Sequence, residues 1–450
     1  MGRITLQQAA QWCGGKIDPK YSDVTFLGAC NDTRKLQEGQ LFVALQGVRD
    51  GHDFVHAALE KGAAAILCTR VDGDYPAIVV EDTRIALGDI ARNERQRLGM
   101  KVVAVTGSVG KSTTKEMIAA VLGGVYRIAK TPVNHNNDIG MPMAVLAIPD
   151  DTQVAVLEMG MNHFREIAYL TNIGKPDIAV IINIGTMHIE HLGSREGILQ
   201  AKMEIREGMP EDGVLILNGD DELLWQQNGQ KDLRKVYFGM NNSQVSVAGS
   251  QITEGNGQLR FVVDANGEEF PVTLCLEGLH YVSDALAAVA VALELGVTPA
   301  DIQKQLSSFA NMEGRQSIYE AKGFTIINDS YNAGPESMAA ALNVLGNRTG
   351  RRIAVLGDML ELGVNSQAEH YRIGRIAADK ADMLFAFGPT SERMLNGAIT
   401  GGMAGKARAF TDRARLVQVL KMTAQPGDVL LFKGSRGMRM ELILEAFLQD

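Results

Sequence analysis

The run Thr106-Gly107-Ser108-Val109-Gly110-Lys111-Ser112-Thr113 has the residue types of a phosphate-binding loop. Glycines let the backbone turn so that successive N–H groups point at one spot, and a helix opening at Lys111 adds positive potential there. Polyphosphate is the natural occupant. Lys111 would reach the β and γ phosphates and the Ser112 hydroxyl would ligate Mg²⁺, so ATP is the expected ligand. The generic pattern spaces its two glycines by four residues, and Val105 stands where the first belongs. A Gly-rich turn without a ligand is the competing reading; the order of strand, turn, lysine, hydroxyl and helix favours phosphate.

Such a site needs a carboxylate for the metal, usually at the tip of a neighbouring apolar strand. Glu158 closes VAVLE in that position, although a solvated strand-end carboxylate has the same sequence signature. His188 follows the next apolar strand in NIGTMHIEHLGS, where it is either a ligand or an ordinary satisfied histidine. In TPVNHNNDIG (131–140), Asn136 and Asn137 offer neutral donors for a γ phosphate or a carboxylate, or else belong to a turn-rich loop. INDSYNAGPES (327–337) and KGSRG (433–437) each follow an apolar strand and carry groups suited to nucleotide or carboxylate recognition.

The elements that position these groups read as α/β throughout. KVVAVTG (101–107) is a strand, and KSTTKEMIAAVL (111–122) a helix with Met117, Ile118, Val121 and Leu122 on one face and Gly123-Gly124 as its stop. VAVLEMG, DIAVIINIG and VLILNGDD are apolar on both sides, as strands of a helix-covered parallel sheet are. After Asn241, polar–apolar alternation between Gly and Asn turns predicts an added antiparallel β-segment, followed by an Ala-rich helix over 283–296. FTIIND, RIAVLGD, MLFAFG and DVLLFKG repeat the strand pattern in a third unit. Three domains follow: a small α/β unit over 1–82, a central doubly wound phosphate-loop domain with the β-segment over 83–312, and a Rossmann-like α/β domain over 313–450. Thr83 to Leu98 is predicted to be a helix leading into the second.

Composition narrows the partners. In 450 residues, 44 Lys and Arg face 53 Asp and Glu, a net charge of -9 that argues against nucleic acid or an anionic membrane. Cys13, Cys30, Cys68 and Cys275 show no Cys-x-x-Cys spacing, so neither a disulfide framework nor a zinc site is indicated and a reducing cytoplasm fits. No apolar run approaches the roughly 18 residues of a membrane helix, and MGRITLQQAAQW lacks the apolar core of a signal peptide.

Over nearly its whole length the chain resembles the ATP-dependent Mur ligases of peptidoglycan synthesis, through TGSVGKST, VLEMG, NIGTMHIEHLGS with a downstream Lys, and DSYNAGPES. NDTRKLQEGQLFVALQGVRDGHDF, NHNNDIGMP, VLGDMLELG and KGSRGMRME are similar to the member that adds D-alanyl-D-alanine to UDP-N-acetylmuramoyl-tripeptide through an acyl phosphate. The Asp-Asn-Pro-Arg motif expected of the member that adds the third residue is absent.

The resemblance implies ATP at Gly107 to Thr113, Mg²⁺ at Ser112, Glu158 and His188, and a CO₂-derived carbamate on Lys202, which by sequence alone is a helix-face lysine. It places Thr33 and Arg34 on the UDP-sugar peptide, where a turn motif is the alternative, and Arg315 and Asp329 near the nucleotide and its ribose. Asn332, Ser435 and Arg436 become candidates for the incoming dipeptide. The third residue of the tripeptide is meso-diaminopimelate or lysine, and a chain that closes by domain rotation is expected to work as a monomer.

Four positions depart from the family pattern. Tyr281 and Asp284 replace two frequent Asn near the adenine, and a carboxylate cannot donate as an amide does. Gly334 replaces a frequent Asn and Arg165 a frequent Gly. Two other activities share the loop: folylpolyglutamate synthetase relatives, which should lack the NDTR and KGSR stretches, and an ATP-hydrolysing switch, which leaves the third domain's polar strand ends unexplained.

Overall fold

The computed structural model describes residues 4–229, 233–255 and 257–449. Three sheet-centred units follow one another. The first holds four short parallel strands, Ala29–Cys30, Leu41–Val43, Ala65–Cys68 and Ala77–Val79, beside a two-stranded pair, Ile4–Thr5 with Thr25–Phe26. Helix Thr83–Leu98 begins on Asp82, whose carboxylate accepts from the N–H groups of Arg84 and Ile85 at 2.7 and 3.1 Å, and ends on Gly99 at φ +63°. A side-chain cap of this kind is worth ~1 kcal/mol. The helix packs on Leu6–Cys13 of the first unit and on Gly140–Leu146 and Glu166–Gly174 of the second. Ala86, Leu87, Ile90 and Ala91 therefore belong to one apolar core shared by both units.

The central sheet has nine strands. Lys101–Thr106 lies third from one edge, with Val154–Glu158 on one side and Ile178–Ile181 on the other, all parallel. Strand alternation divides the core: Val102, Ala104, Ala155 and Leu157 face one cluster, Val103, Val105, Val154 and Val156 the other. Both faces are covered, as the uniformly apolar runs predict. The expected β-segment is present as Val247–Gly255, Gln258–Ala265 and Glu268–Leu274, antiparallel to one another. It is continuous with the main sheet, because Arg234–Gly239 pairs in parallel with Val247–Gly255. The Ala-rich helix runs over His280–Glu294, three residues earlier at its start than the sequence suggests, and packs on the helix Lys111–Gly123.

The third sheet orders its six strands as Ser317–Ala321, Phe324–Asp329, Val429–Lys433, Arg352–Gly357, Met383–Phe387 and Ala407–Phe410; only the first is antiparallel to its neighbour. Strand order reverses around Lys101–Thr106 in the central sheet and around Val429–Lys433 in the third. Open α/β sheets form their ligand crevices at the carboxyl ends of such strands. Here those ends carry Gly107, Glu158 and Asn183 in one sheet and Asp329 and Lys433 in the other.

Candidate functional site

The loop after Lys101–Thr106 is fastened by a residue that the motif does not contain. Asn183, just beyond Ile178–Ile181, accepts on Oδ1 from the N–H groups of Ser108 and Val109 at 3.0 and 2.9 Å and returns a bond from Nδ2 to Val109 O at 2.9 Å. Those two N–H groups therefore face Asn183 and not a ligand, so the expected cradle narrows to Gly110 and the helix start. The first N–H groups of a helix have no intrahelical acceptor. Gly110 stands at φ +89°, and a Cβ there would meet Asp284 Oδ1 at 2.7 Å. The Lys111 ammonium folds back onto Gly107 O at 2.7 Å and Ser108 O at 3.2 Å. Burial pulls its pKa down, with Glu158 opposing.

Glu158 is buried, which removes the solvated-carboxylate reading. Its Oε2 accepts from the Ser112 hydroxyl and its Oε1 from Asn136 Nδ2, both at 2.7 Å, while its own N–H donates to Thr131 Oγ1 at 3.0 Å. Fully buried Lys115 donates to Thr131 O at 2.8 Å and lies 4.0 Å from Glu158 Oε2. A carboxylate, a hydroxyl and a carboxamide thus converge at the strand tip. Asn137 does something different: its Oδ1 accepts from the N–H groups of Ile139 and Gly140, a turn at the start of the helix Gly140–Leu146.

The third unit closes over this site. Arg315 Nη2 donates to Ser112 Oγ at 2.8 Å, and the guanidinium stacks 3.9 Å from the centre of the Tyr331 ring. Asp329 pairs with Lys433 at 2.6 Å, and Lys433 also donates to Asn332 O at 2.9 Å. Burial pushes the Asp329 carboxyl up, with Lys433 opposing. Asp284 is buried, accepts from Thr114 Oγ1 at 2.9 Å, and is pushed up to about 7 by burial. A carboxyl titrating there is partly protonated near neutrality and in that form has an O–H to donate. Its neighbour Tyr281 receives a 2.6 Å bond from Asn311 Nδ2.

These groups line one cavity of about 500 Å³, walled by the phosphate loop, Asn136, Asn137, Glu158, His188, Asp284, Arg315, Asp329, Asn332 and Arg436. A larger groove of about 1080 Å³, along Phe164, Arg165 and Glu204, holds none of them. His188 sits at φ +64° with Nδ1 2.7 Å from Glu361 Oε2. Lys202 lies outside the cavity wall but is 1% exposed, so it is no surface lysine; burial, and then the charge of Lys111, hold its amine well below the usual lysine range.

Three further candidates stand apart from the cavity. Ser435 is buried behind it, donating to Ala333 O at 3.0 Å and accepting from the Leu360 N–H at 2.9 Å. Arg34 is exposed and paired with Asp32 at 2.7 Å, and Thr33 O accepts from Lys61 at 2.8 Å, an Asp-led turn in the first unit. Arg436, on the cavity wall, pairs with Glu441 at 3.1 Å while its N–H donates to Asn332 Oδ1 at 3.2 Å. Sequence reasoning did not mark Lys115, and it named Asn183, Tyr331 and Lys433 only as members of wider stretches. Asn183 was findable as the polar end of an apolar strand, whereas Lys115 carries no sequence mark of its burial.

Two departures acquire a physical account. Arg165 has φ +71°, the left-handed region where glycine is at ease; its guanidinium pairs with both Glu207 oxygens at 2.6 and 2.9 Å, and its N–H donates to Glu204. At Gly334 a Cβ would lie 2.8 Å from Met187 Cγ, so the absent side chain makes room for the central unit's loop.

Family models match three stretches: "Mur ligase family, catalytic domain" over 23–95, "Mur ligase middle domain" over 105–292, and "Mur ligase, glutamate ligase domain" over 314–436. The UDP-N-acetylmuramoyl-tripeptide--D-alanyl-D-alanine ligase of Bacillus subtilis is 41% identical, with 100% of this chain and 99% of that protein covered. The Escherichia coli protein of the same name is 36% identical, with 99% of each covered. Among solved structures, MurF from Acinetobacter baumannii superposes with a TM-score of 0.92 at 33% identity, covering 100% of both chains. MurF ligase from Thermotoga maritima in complex with ADP gives 0.83 at 31% identity, covering 94% of this chain and 97% of that one.

Proposed function

The chain belongs to the Mur ligase family, and from that premise we propose its reaction: ATP-dependent joining of D-alanyl-D-alanine to UDP-N-acetylmuramoyl-tripeptide, giving the pentapeptide precursor of peptidoglycan with ADP and phosphate. The observation that carries this reading is the single cavity in which the phosphate loop and Glu158 meet polar strand ends of the third unit. A ligase must bring ATP, an acid and an amine together, whereas a hydrolytic switch needs only the first.

The tripeptide's terminal carboxylate attacks the γ phosphate, forming an acyl phosphate and releasing ADP. The dipeptide amine then attacks the acyl carbon, and the tetrahedral adduct expels phosphate to leave an amide. No protein nucleophile is required, so the chain's work is positioning, charge neutralisation and exclusion of water. Lys111 exchanges its loop carbonyls for phosphate oxygens, the helix start at Gly110 to Thr113 supplies N–H donors, and Arg315 adds positive charge from the closing unit. Asn136 and Ser112 hold Glu158 in a fixed orientation.

The oxygen donors of Ser112 and Glu158, with His188 on the same wall, fit a hard divalent cation. Mg²⁺ held by these residues would offset charge on the β and γ phosphates. The buried Lys202 amine favours its neutral form, the form that combines with CO₂, and a carbamate would turn repulsion by Lys111 into attraction. We assign the sugar-peptide to the first unit at Thr33 and Arg34, and the dipeptide to Asn332 and Arg436, with Ser435 bracing them from behind. Closure within one chain assembles the site, which supports a working monomer. No helix is long and apolar enough to cross a membrane among the described residues, and the four cysteines are free, as they would be in a reducing cytoplasm.

The test is phosphate release from ATP and Mg²⁺ with UDP-N-acetylmuramoyl-tripeptide, with and without D-alanyl-D-alanine, and the product mass. Dipeptide-dependent release with one new amide per phosphate is expected. Release indifferent to both acceptor substrates would point to the switch instead.

A further inference from the structure

We infer that Glu361, carried on the third unit, is a positioning residue for His188, so that the donor set beside the phosphate loop is complete only when that unit is closed. The inference rests on the proposal that His188 is a metal donor. Glu361 Oε2 lies 2.7 Å from His188 Nδ1, and that nitrogen is buried with no aligned hydrogen-bond partner among the described residues. A neutral imidazole carries one N–H. A proton on Nδ1, the ring nitrogen beside the Glu361 carboxylate, leaves the lone pair on Nε2. His188 lines the cavity that holds Ser112 and Glu158. A carboxylate behind a metal-binding histidine is the usual way to fix the ring's tautomer and direction.

The surrounding contacts make this approach depend on closure. Glu336 accepts from the N–H and hydroxyl of Thr186 at 3.1 and 3.0 Å. Gly334 admits Met187, and Gly363 comes so near that a Cβ would meet Glu190 Cβ at 3.1 Å. Thr186, Met187, His188 and Glu190 are thus all approached by the third unit. Both partners also hold the left-handed backbone that non-glycine residues avoid, His188 at φ +64° and Glu361 at φ +62°. Such conformations persist where the surroundings over-determine them and gather at functional sites.

The experiment compares wild type, Glu361→Ala, Glu361→Gln and His188→Ala as full chains bound to ADP. Long-range proton–nitrogen correlation spectra, with the His188 signal identified by its loss in His188→Ala, report which ring nitrogen is protonated. Wild type and Glu361→Gln should hold the proton on Nδ1, and Glu361→Ala should lose that preference. Mn²⁺ affinity, followed by electron paramagnetic resonance, should fall about 10- to 100-fold in Glu361→Ala and recover largely in Glu361→Gln. Turnover should fall with it while the KM for ATP holds. An unchanged tautomer and unchanged Mn²⁺ affinity in Glu361→Ala overturn the inference while His188→Ala still loses the ion. If His188→Ala binds Mn²⁺ as wild type does, the donor reading of His188 falls first and the inference falls with it.

Discussion

Arg315 donates a 2.8 Å hydrogen bond to the hydroxyl of Ser112, a residue 203 positions earlier in the chain. Ser112 in turn donates a hydrogen bond to Glu158, so one chain of hydrogen bonds runs from the third unit through the phosphate-loop helix to the strand tip. The guanidinium sits over the Tyr331 ring, 3.9 Å from its centre. Removing a charge-assisted hydrogen bond of this sort is worth about 1.5–3 kcal/mol. Arg315→Ala should therefore weaken ADP binding, read by calorimetry, by roughly 10- to 100-fold. Arg315→Lys should not restore it, because an ammonium lacks the planar face that stacks on Tyr331. Full recovery in the lysine variant would show that charge alone matters.

Asp284 leads to a pH prediction. Its folded carboxyl titrates near 7, against an ordinary 3.8, because burial disfavours the anion. Between those values the folded chain holds a proton that the unfolded chain has released. Stability from this group is complete below about 3.8 and is lost as pH rises toward 7, at about 1.4 kcal/mol per pKa unit. Asp284→Asn removes the titration, so its unfolding free energy in urea should gain on wild type as pH goes from 4 to 7. A constant difference between the two proteins over that range would contradict the buried acid.

Much of this was legible beforehand. The helix Thr83–Leu98 forms at the predicted residues because Asp82 and Gly99 cap it by local chemistry alone. The phosphate loop and Glu158 share one cavity because neighbouring apolar parallel strands end at a common edge, and Arg315 reaches it from the third unit by a path that no local pattern shows. What local reasoning missed depends on contacts between distant segments. The grip of Asn183 on Ser108 and Val109 needs two neighbouring strands in register. The burial of Lys202 needs helices packed around it, and the sequence offers only a lysine on a helix. The resemblance makes Ser435 a candidate ligand group, yet its place two residues past the strand Val429–Lys433 lets it brace Ala333 and Leu360.

Arg165 sets two small effects against each other. Its left-handed backbone costs on the order of 1–2 kcal/mol for a residue with a Cβ, while its pair with Glu207, exposed on both sides, contributes at most about 1 kcal/mol. Arg165→Gly removes both, and should leave stability within about 1 kcal/mol of wild type. Arg165→Ala keeps the strain and loses the pair, so it should be the less stable of the two in urea unfolding. An alanine variant that outlasts the glycine variant would refute this ordering.

Lys202 decides whether the site makes its own anion. Burial, and then the charge of Lys111, shift this amine toward its neutral form. As an ammonium it would repel both Lys111 and any cation near Glu158; as a carbamate it would attract both. ¹³C-labelled bicarbonate should therefore give one carbonyl signal in wild type that is absent from Lys202→Ala. Lys202→Arg, which keeps a positive charge but cannot take up CO₂, should lose the signal and fall in turnover by as much as the alanine variant. An arginine variant with wild-type turnover would mean that the chain needs a cation at this position, and the carbamate would have to be abandoned.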